Sequence, residues 1–336
     1  MKLVYYILRR ILYIIPILLG LIVLTFFAAR IVPTDPAGVM AGPQATKEQV
    51  EVLRKRYGLD QPLHVQLLLY LRQLATGDLG ISFHTNRPVW QEIRERIPAT
   101  IELTLGSMLI AAALGIPMGI ICALRRNSFL DHVLRVLTTA GLAIAAFWLG
   151  IMLKLLFSMY WNVAPLGHRL SGGFRVDQIT GLFIVDTLIT RDFETFFDVV
   201  KHMFLPAITL AYPAFATITR FTRSGVLDVL QKDFVLYQRS MGVPWFVIVW
   251  KYILRNAVTS TVTQIGLLFG SLLAGAVVIE KVFDWPGLGL FAVETIFMAD
   301  YNAMMAVTIW AGLMFTIMNL LTDIIHAAID PRVTTH

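Results

Sequence analysis

Six stretches of this chain, 11–29, 103–124, 136–158, 203–219, 256–279 and 301–322, run for 17 to 24 residues with almost no charge. A helix rises about 1.5 Å per residue, so windows of this length can cross roughly 30 Å of hydrocarbon. Inside lipid the backbone has to satisfy its own hydrogen bonds, and a helix does so without a partner strand. The sequence therefore predicts an all-α, polytopic membrane protein with six transmembrane helices. Lys154 is the single charge inside any window. The fourth window is the shortest and holds Pro206 and Pro213, each of which removes a backbone donor and favours a kink. Composition agrees, with 57% of the 336 residues hydrophobic and 15% charged.

Charge sets the orientation. With the N-terminus inside, the inner segments 1–10, 125–135, 220–255 and 327–336 carry a net +9, and the outer segments 31–98, 159–202 and 280–300 carry −3. The positive-inside rule then places both termini in the cytoplasm. The overall +6 is a consequence of topology and predicts no nucleic-acid partner. The first window, 19 residues behind Arg9 and Arg10, is long for the apolar core of a signal peptide and reads as a retained anchor. Four regions follow: an anchor helix over 1–30, an extracytoplasmic loop domain with short helices over 31–97, a membrane core over 98–327 and a cytoplasmic tail over 328–336.

The first outer loop carries folding signals. Thr46 and Gln49 have the spacing of a capping box for a helix that stops at Gly58. Asp60 is placed to cap a second helix with Pro62 in its first turn and Leu63, Leu67, Leu71 and Leu74 on one face. A third piece near 88–97, with Val89, Trp90, Ile93 and Ile97 on one side, suits a helix lying in the interface, with Pro98 starting the second span. In "FDWPGLG", 283–289, Pro286 and Gly287 favour a tight turn and Trp285 suits the membrane–water boundary; the segment reads as a re-entry turn or a docking element formed by Trp285, Pro286, Gly287 and Gly289.

Several chemistries find no residues to carry them. The seven histidines lack ligand spacing, Cys122 is alone, no lysine follows a glycine as a phosphate-binding loop requires, and no G-x-S-x-G elbow occurs. The chain is expected to hold no metal and no cofactor, and not to be an enzyme. Within the spans the carboxylates are restricted to Glu102 and Asp323, near span ends, so proton coupling by a self-sufficient carrier or channel lacks its usual residues. Active transport would draw its energy from a partner. Lys154 reads either as a snorkelling side chain or as a pore-facing one. Ser260, Gln264 and Ser271 share one face of the fifth span, and Thr209 and Tyr212 add hydroxyls in the fourth; these five either pack helices together or line a pathway.

The cytoplasmic stretch "KDFVLYQRSMGVPWFVIVWKYILRN", 232–256, interrupts the lipid-facing pattern. Asp233 can cap a short helix over 234–241 with Phe234, Tyr237 and Met241 on one face and Gln238 and Arg239 elsewhere; Gly242 ends it. Pro244 then starts a second helix, with Trp245, Ile248 and Tyr252 toward the membrane surface and Lys251 and Arg255 toward the headgroups. Helix, glycine turn and helix make a projecting knob suited to a soluble partner.

At this point the chain resembles a known family, the permease subunits of binding-protein-dependent ABC importers of the dipeptide, oligopeptide and nickel group. The resemblance runs through "ILRRILYIIPILLGLIVLTF" at the N-terminus, "YGLDQP" at 57–62, "GDLGIS" at 77–82, "PATIELT" at 98–104, "GIPMGI" at 115–120, "HMFLPAITL" at 202–210, "TRSGVLDVL" at 222–230, "LRNAV" at 254–258, "FDWPGLG" and "DPR" at 330–332. It implies a type I importer membrane domain in the bacterial plasma membrane, importing di- or oligopeptides, or else nickel or short oligosaccharides, by alternating access. It implies a second homologous permease, two ATPases that bind ATP and magnesium, and an extracytoplasmic substrate-binding protein. It also implies that 232–256 seats in a cleft of the ATPase, with Gly242 matching the loop's glycine. Leu236, Tyr237 and Gln238 stand where the family's Glu-Ala-Ala signature falls, and Ser260 where a proline is usual.

Overall fold

The computed structural model describes residues 2–31, 36–41, 45–56 and 58–329. Among them every regular element is helical, apart from one isolated bridge between Ile81 and Pro88. The long apolar windows become helix α1 (Lys2–Ile31), then, after the short α2 (Pro36–Ala41), α3 (Lys47–Arg56) and α4 (Leu63–Ala75), the 36-residue α5 (Val89–Leu124). There follow α6 (Phe129–Ala143), α7 (Ala146–Leu153) with a π-helical extension Lys154–Tyr160, α8 (Phe183–Thr190) and the 38-residue α9 (Phe193–Leu230). After α10 (Asp233–Ser240), α11 (Trp245–Val247) runs through a π-helical segment Ile248–Ile253 directly into α12 (Leu254–Val282), and α13 (Leu288–Phe297) and α14 (Tyr301–Ile329) close the chain.

The central post is α9, against which α5, α6, α7, α8 and α12 all pack. Between helices in lipid the hydrophobic effect gives no net pull, so close approach and dispersion decide the packing. The sequence supplies small residues where this matters: a Cβ on Gly119 of α5 would stand 2.6 Å from Thr222 Cβ and 2.7 Å from the Thr219 carbonyl of α9. Ala99, Leu103 and Ala111 of α5 meet Leu205, Ala207, Leu210, Ala214 and Ile218 of α9 and Leu272, Ala276 and Ile279 of α12 in one buried cluster. Helix α1 packs on α14 and leaves Leu12, Ile15, Ile17, Leu19 and Leu24 exposed, as a lipid-facing anchor would.

Two expected spans and the expected interfacial helix take a different form. The third is not a continuous 136–158 helix: extended Ile144 and Ala145 separate α6 from α7, which meet at 106°. Packing sets the second arm's course, because Gly150 lets α7 approach Thr209 of α9, Val282 at the end of α12 and Phe283 just past it. The piece at 88–97 is no separate interfacial helix but the first turns of α5. Val89 and Ile93 are buried there against Phe291, Ala303 and Val307, which offsets the donor lost at Pro98. The fourth window lies inside α9, which runs unbroken through Pro206 and Pro213.

The capping box is present: Thr46 N–H donates to Gln49 Oε1 at 2.9 Å and Gln49 N–H to Thr46 Oγ1 at 3.3 Å. Gly58 has the left-handed φ of +62° that ends α3. Asp60 does not cap α4, since Pro62 occupies that position and no side chain caps the helix. Gln66 instead braces this corner, its Nε2 donating to the carbonyls of Leu59 (3.2 Å) and Gln61 (2.7 Å).

Candidate functional site

At one end of the bundle the 232–253 segment forms the knob. Helix α10 closes by a glycine turn in which Val243 N–H donates to Gln238 O (3.2 Å) and Gly242 N–H to Arg239 O (3.0 Å), with Gly242 at φ +74°. This double bond pattern satisfies two carbonyls that the helix end leaves open, and it needs a residue that tolerates left-handed backbone. No atom lies within 4 Å of where a Gly242 Cβ would be, so conformation alone selects the glycine. Arg239 stacks on Trp245 across the turn, 4.1 Å from the ring centroid, and pins the two arms together.

The knob is rooted by Val235, Ile248, Val249 and Ile253, buried against Ala123 of α5 and Val226 and Val229 of α9. Ile248 therefore faces the bundle and not the membrane surface, because the glycine turn folds α10 back over it. Burying one such side chain is worth roughly 1.5–3 kcal/mol. Asp233 opens α10 without capping it; the cap position belongs to Lys232. Phe234 and Gln238 are half-buried, Arg239 is exposed, and Leu236 (68% exposed), Tyr237 (63%), Met241 (65%) and Phe246 (70%) stand out from the surface. Beneath the knob, Asp131 of α6 is fully buried and receives Arg223 of α9 through Nε at 2.8 Å and Nη2 at 3.0 Å, which ties the broken span to the central post.

At the opposite end lies an assembly centred on a residue the sequence did not single out. Glu280, in the last turns of α12, is fully buried. Its Oε1 accepts the Thr100 hydroxyl at 2.6 Å, and its Oε2 accepts the N–H groups of Gly289 (2.7 Å) and Leu290 (3.0 Å) at the start of α13. Leu288 N–H donates in turn to Thr100 Oγ1 at 2.8 Å. One carboxyl thus joins α5, α12 and α13 and fills donors a helix start leaves open. A Cβ on Gly287 would overlap that carboxyl, and one on Gly289 would overlap Val277. The glycines of "FDWPGLG" are there for close approach: Gly287 has φ −101°, and the left-handed residue is Asp284 at +50°. Pro286 centres a three-residue turn closed by Gly287 N–H to Trp285 O at 2.7 Å. Trp285 is buried rather than at the membrane boundary, its indole N–H donating to Ala99 O at 2.8 Å.

This clasp gathers further elements. Lys154 does not snorkel freely: its Nζ donates to Val282 O at 2.7 Å and lies 3.4 Å from Asp284 Oδ2. Arg169 pairs with the buried Glu102, whose other oxygen accepts Ile184 N–H at 2.7 Å, and its guanidinium lies 3.7 Å from the Phe183 ring centroid. Burial draws the Arg169 pKa below its ordinary value, with Glu102 acting against that shift. Glu102 and Glu280 stand close enough to span ends to read as interfacial. The signal that could have exposed Glu280 is its position a few residues ahead of the Gly287–Gly289 pair, where close approach to the end of α12 leaves no room for side chains.

The five hydroxyl and amide residues of the spans are placed as follows. Thr209 is buried and donates to Leu205 O at 2.8 Å; Tyr212 donates to Leu137 O at 2.9 Å across to α6. Gln264 is half-buried and Ser271 exposed on α12, while the Ser260 side chain and the motif at 330–332 lie outside the described residues. Among the described residues no group of three His, Cys, Asp or Glu could hold a metal ion.

Knob and clasp are joined covalently. From Trp245 to Val282 the chain is one unbroken helical rod, roughly 55 Å long at 1.5 Å per residue. A bundle of long apolar helices with an apolar-decorated knob at one end makes this a polytopic membrane protein. The chain belongs to the binding-protein-dependent transport system inner membrane component family: the description of that name matches residues 115–335, and its N-terminal counterpart matches 3–104. It is 39% identical to the probable D,D-dipeptide transport system permease protein DdpB of Escherichia coli strain K12, over 94% of this chain and 93% of that protein. It is 38% identical to the dipeptide transport system permease protein DppB of the same strain and 38% identical to the di/tripeptide transport system permease protein DppB of Pseudomonas aeruginosa UCBPP-PA14, each over 98% of both chains. The chain is accordingly a multi-pass inner-membrane permease subunit of an ABC importer and not an enzyme. ATP hydrolysis belongs to a partner ATPase, and a substrate-binding protein completes such a system.

Proposed function

We propose that this permease forms half of the translocation pathway for di- or oligopeptides, pairing with a second, homologous permease and with two ATPases that bind ATP and magnesium. The knob faces the cytoplasm and seats on an ATPase through Asp233, Phe234, Tyr237, Gln238, Arg239, Met241 and Gly242. The extracytoplasmic binding protein delivers its peptide at the clasp end, where the turn of Trp285, Pro286, Gly287 and Gly289 lies. The observation that carries this reading is the knob: a glycine-closed turn rooted by buried Val235 and Ile248 that leaves Leu236, Tyr237, Met241 and Phe246 exposed. The peptide cargo is supported by the relatives named above.

ATP-driven closure displaces the knob, the rod of α11 and α12 transmits the displacement, and the clasp carries α5 and α13 with it. Binding can drive such a change only if the ATPase contacts the knob with different free energies in the two states. Tyr212, Ser260, Gln264 and Ser271 remain our candidates for the pathway wall, with Ser271 exposed on this chain, whereas Thr209 is enclosed between α7 and α9. Extracting the tagged chain in mild detergent and weighing what accompanies it tests the assembly. One or two ATPases and a second permease of similar size are expected; recovery of the chain alone, while other membrane complexes survive the extraction, would contradict it.

A further inference from the structure

Helix α6 carries a shallow, open groove along one of its own faces, lined by His132, Arg135, Val136, Thr139, Ala140 and Ala143. These positions follow one helical face, and their order along the axis is not random: the two basic residues come first and the small apolar ones follow. The Asp131–Arg223 pair fixes the start of α6 at the knob end of the bundle, so the groove runs from the membrane boundary inward. The 106° turn at Ile144 and Ala145 carries α7 away from the face that α6 would otherwise extend.

The mouth of the groove keeps a net positive charge. Asp131 accepts two bonds from Arg223 and the Asn127 N–H at 3.1 Å. Arg135 Nη2 makes a longer ion pair with the same carboxylate at 3.6 Å and is half exposed, so two guanidinium groups share one acid. The His132 ring turns its Nδ1 to Ser128 O at 2.8 Å, which leaves Nε2 directed elsewhere on an exposed side chain. Beyond them the line from Val136 to Ala143 offers only methyl groups and the Thr139 hydroxyl, and that hydroxyl is spent on Arg135 O at 2.8 Å.

We propose that this face binds one anionic phospholipid, its phosphate at Arg135 and an acyl chain along Val136, Ala140 and Ala143. A cationic mouth above an apolar run matches the headgroup and the tail of such a lipid in that order. The roughly 16 Å rise from His132 to Ala143 is the length of most of an acyl chain. The inference rests on the reading that α6 enters the bilayer from the knob end. Occupancy would lock the broken span against α9 through the same turn that holds Asp131.

The test uses the whole complex in nanodiscs of phosphatidylcholine doped with phosphatidylglycerol, followed by detergent transfer and native mass measurement. Wild type is expected to retain one more phosphatidylglycerol than an Arg135→Gln variant, and Ala140→Phe, which fills the groove and keeps the charges, is expected to lose the same lipid. Equal retention in all three would overturn the proposal. So would cross-linking of a cysteine placed at Val136 to the second permease, since protein and not lipid would then cover the face. Binding-protein-stimulated ATP hydrolysis, measured on the same samples, reports separately on the importer reading.

Discussion

The two ends of the rod from Trp245 to Val282 are built on opposite principles. At the clasp, polar chemistry is buried: Glu280 and Glu102 are sealed in and matched to hydroxyl, backbone and guanidinium donors. At the knob, apolar chemistry is exposed, and the buried part is an ordinary aliphatic cluster. A buried polar network tolerates little change because each lost partner strands another group in low dielectric. An exposed apolar surface can change with little effect on folding and a large effect on docking. On the proposed reading, the comparison separates residues that hold the bundle together from residues that transmit through it.

The largest effect is expected at Glu280. Glu280→Ala strands the Thr100 hydroxyl and two N–H groups beside a cavity, a loss on the order of 3 kcal/mol or more. Thermal unfolding of the purified complex should show a marked drop in Tm, with Glu280→Gln milder; an unchanged Tm would remove the clasp from the account. Next is Gly289→Ala, whose Cβ overlaps the Val277 backbone and forces α13 off α12 at a cost of about 1–3 kcal/mol. The matching change at the knob, Gly242→Ala, meets open space and has only left-handed backbone strain to bear, about 1 kcal/mol. Equal Tm losses for the two glycines would erase the distinction between the ends.

Smaller still, Leu236→Ser should shift Tm by no more than about 0.5 kcal/mol equivalent while lowering stimulated ATP hydrolysis. The smallest expected effect is of pH at Asp186, in the segment before α9. Burial pushes its pKa up, but the Thr180 hydroxyl and the N–H groups of Thr180, Gly181 and Ile179 outweigh that and hold it below the ordinary value. A lowered folded pKa means the stabilisation is complete above the ordinary carboxylate range and is lost as pH falls through the folded value. Hydrogen exchange over 179–190 should therefore stay constant from pH 7 down to about pH 4 after correction for intrinsic rates, and quicken only below it. Quickening that begins near pH 6 would mean the donors do not hold the carboxylate.

What the sequence made legible follows from how local each signal is. The Thr46–Gln49 box and the Gly242 turn are written in four or five neighbouring residues and appear as expected. The apolar windows located every long span but not the bend at Ile144 and Ala145, because no proline, glycine or charge marks those two residues and the distant contacts of Gly150 help set the second arm's direction. Pro98 looked like a boundary, yet Val89 and Ile93 find buried partners 200 residues away in α13 and α14, and the helix continues through it. Trp285 carries the composition of an interface residue and the partner of a core one, Ala99 O, which no local pattern encodes. Glu280 was hidden by arithmetic: counted with the outer loop, its charge balanced the topology and raised no question.

The central claim is that the knob transmits while the clasp holds. It is tested most directly by reconstituting the full importer with Gly242→Leu and measuring ATP hydrolysis with and without peptide-loaded binding protein. The account predicts a complex that assembles with a Tm near wild type but has lost most of its stimulation, because a bulky side chain now stands on the surface the ATPase must engage. Full stimulation in an intact complex would contradict it.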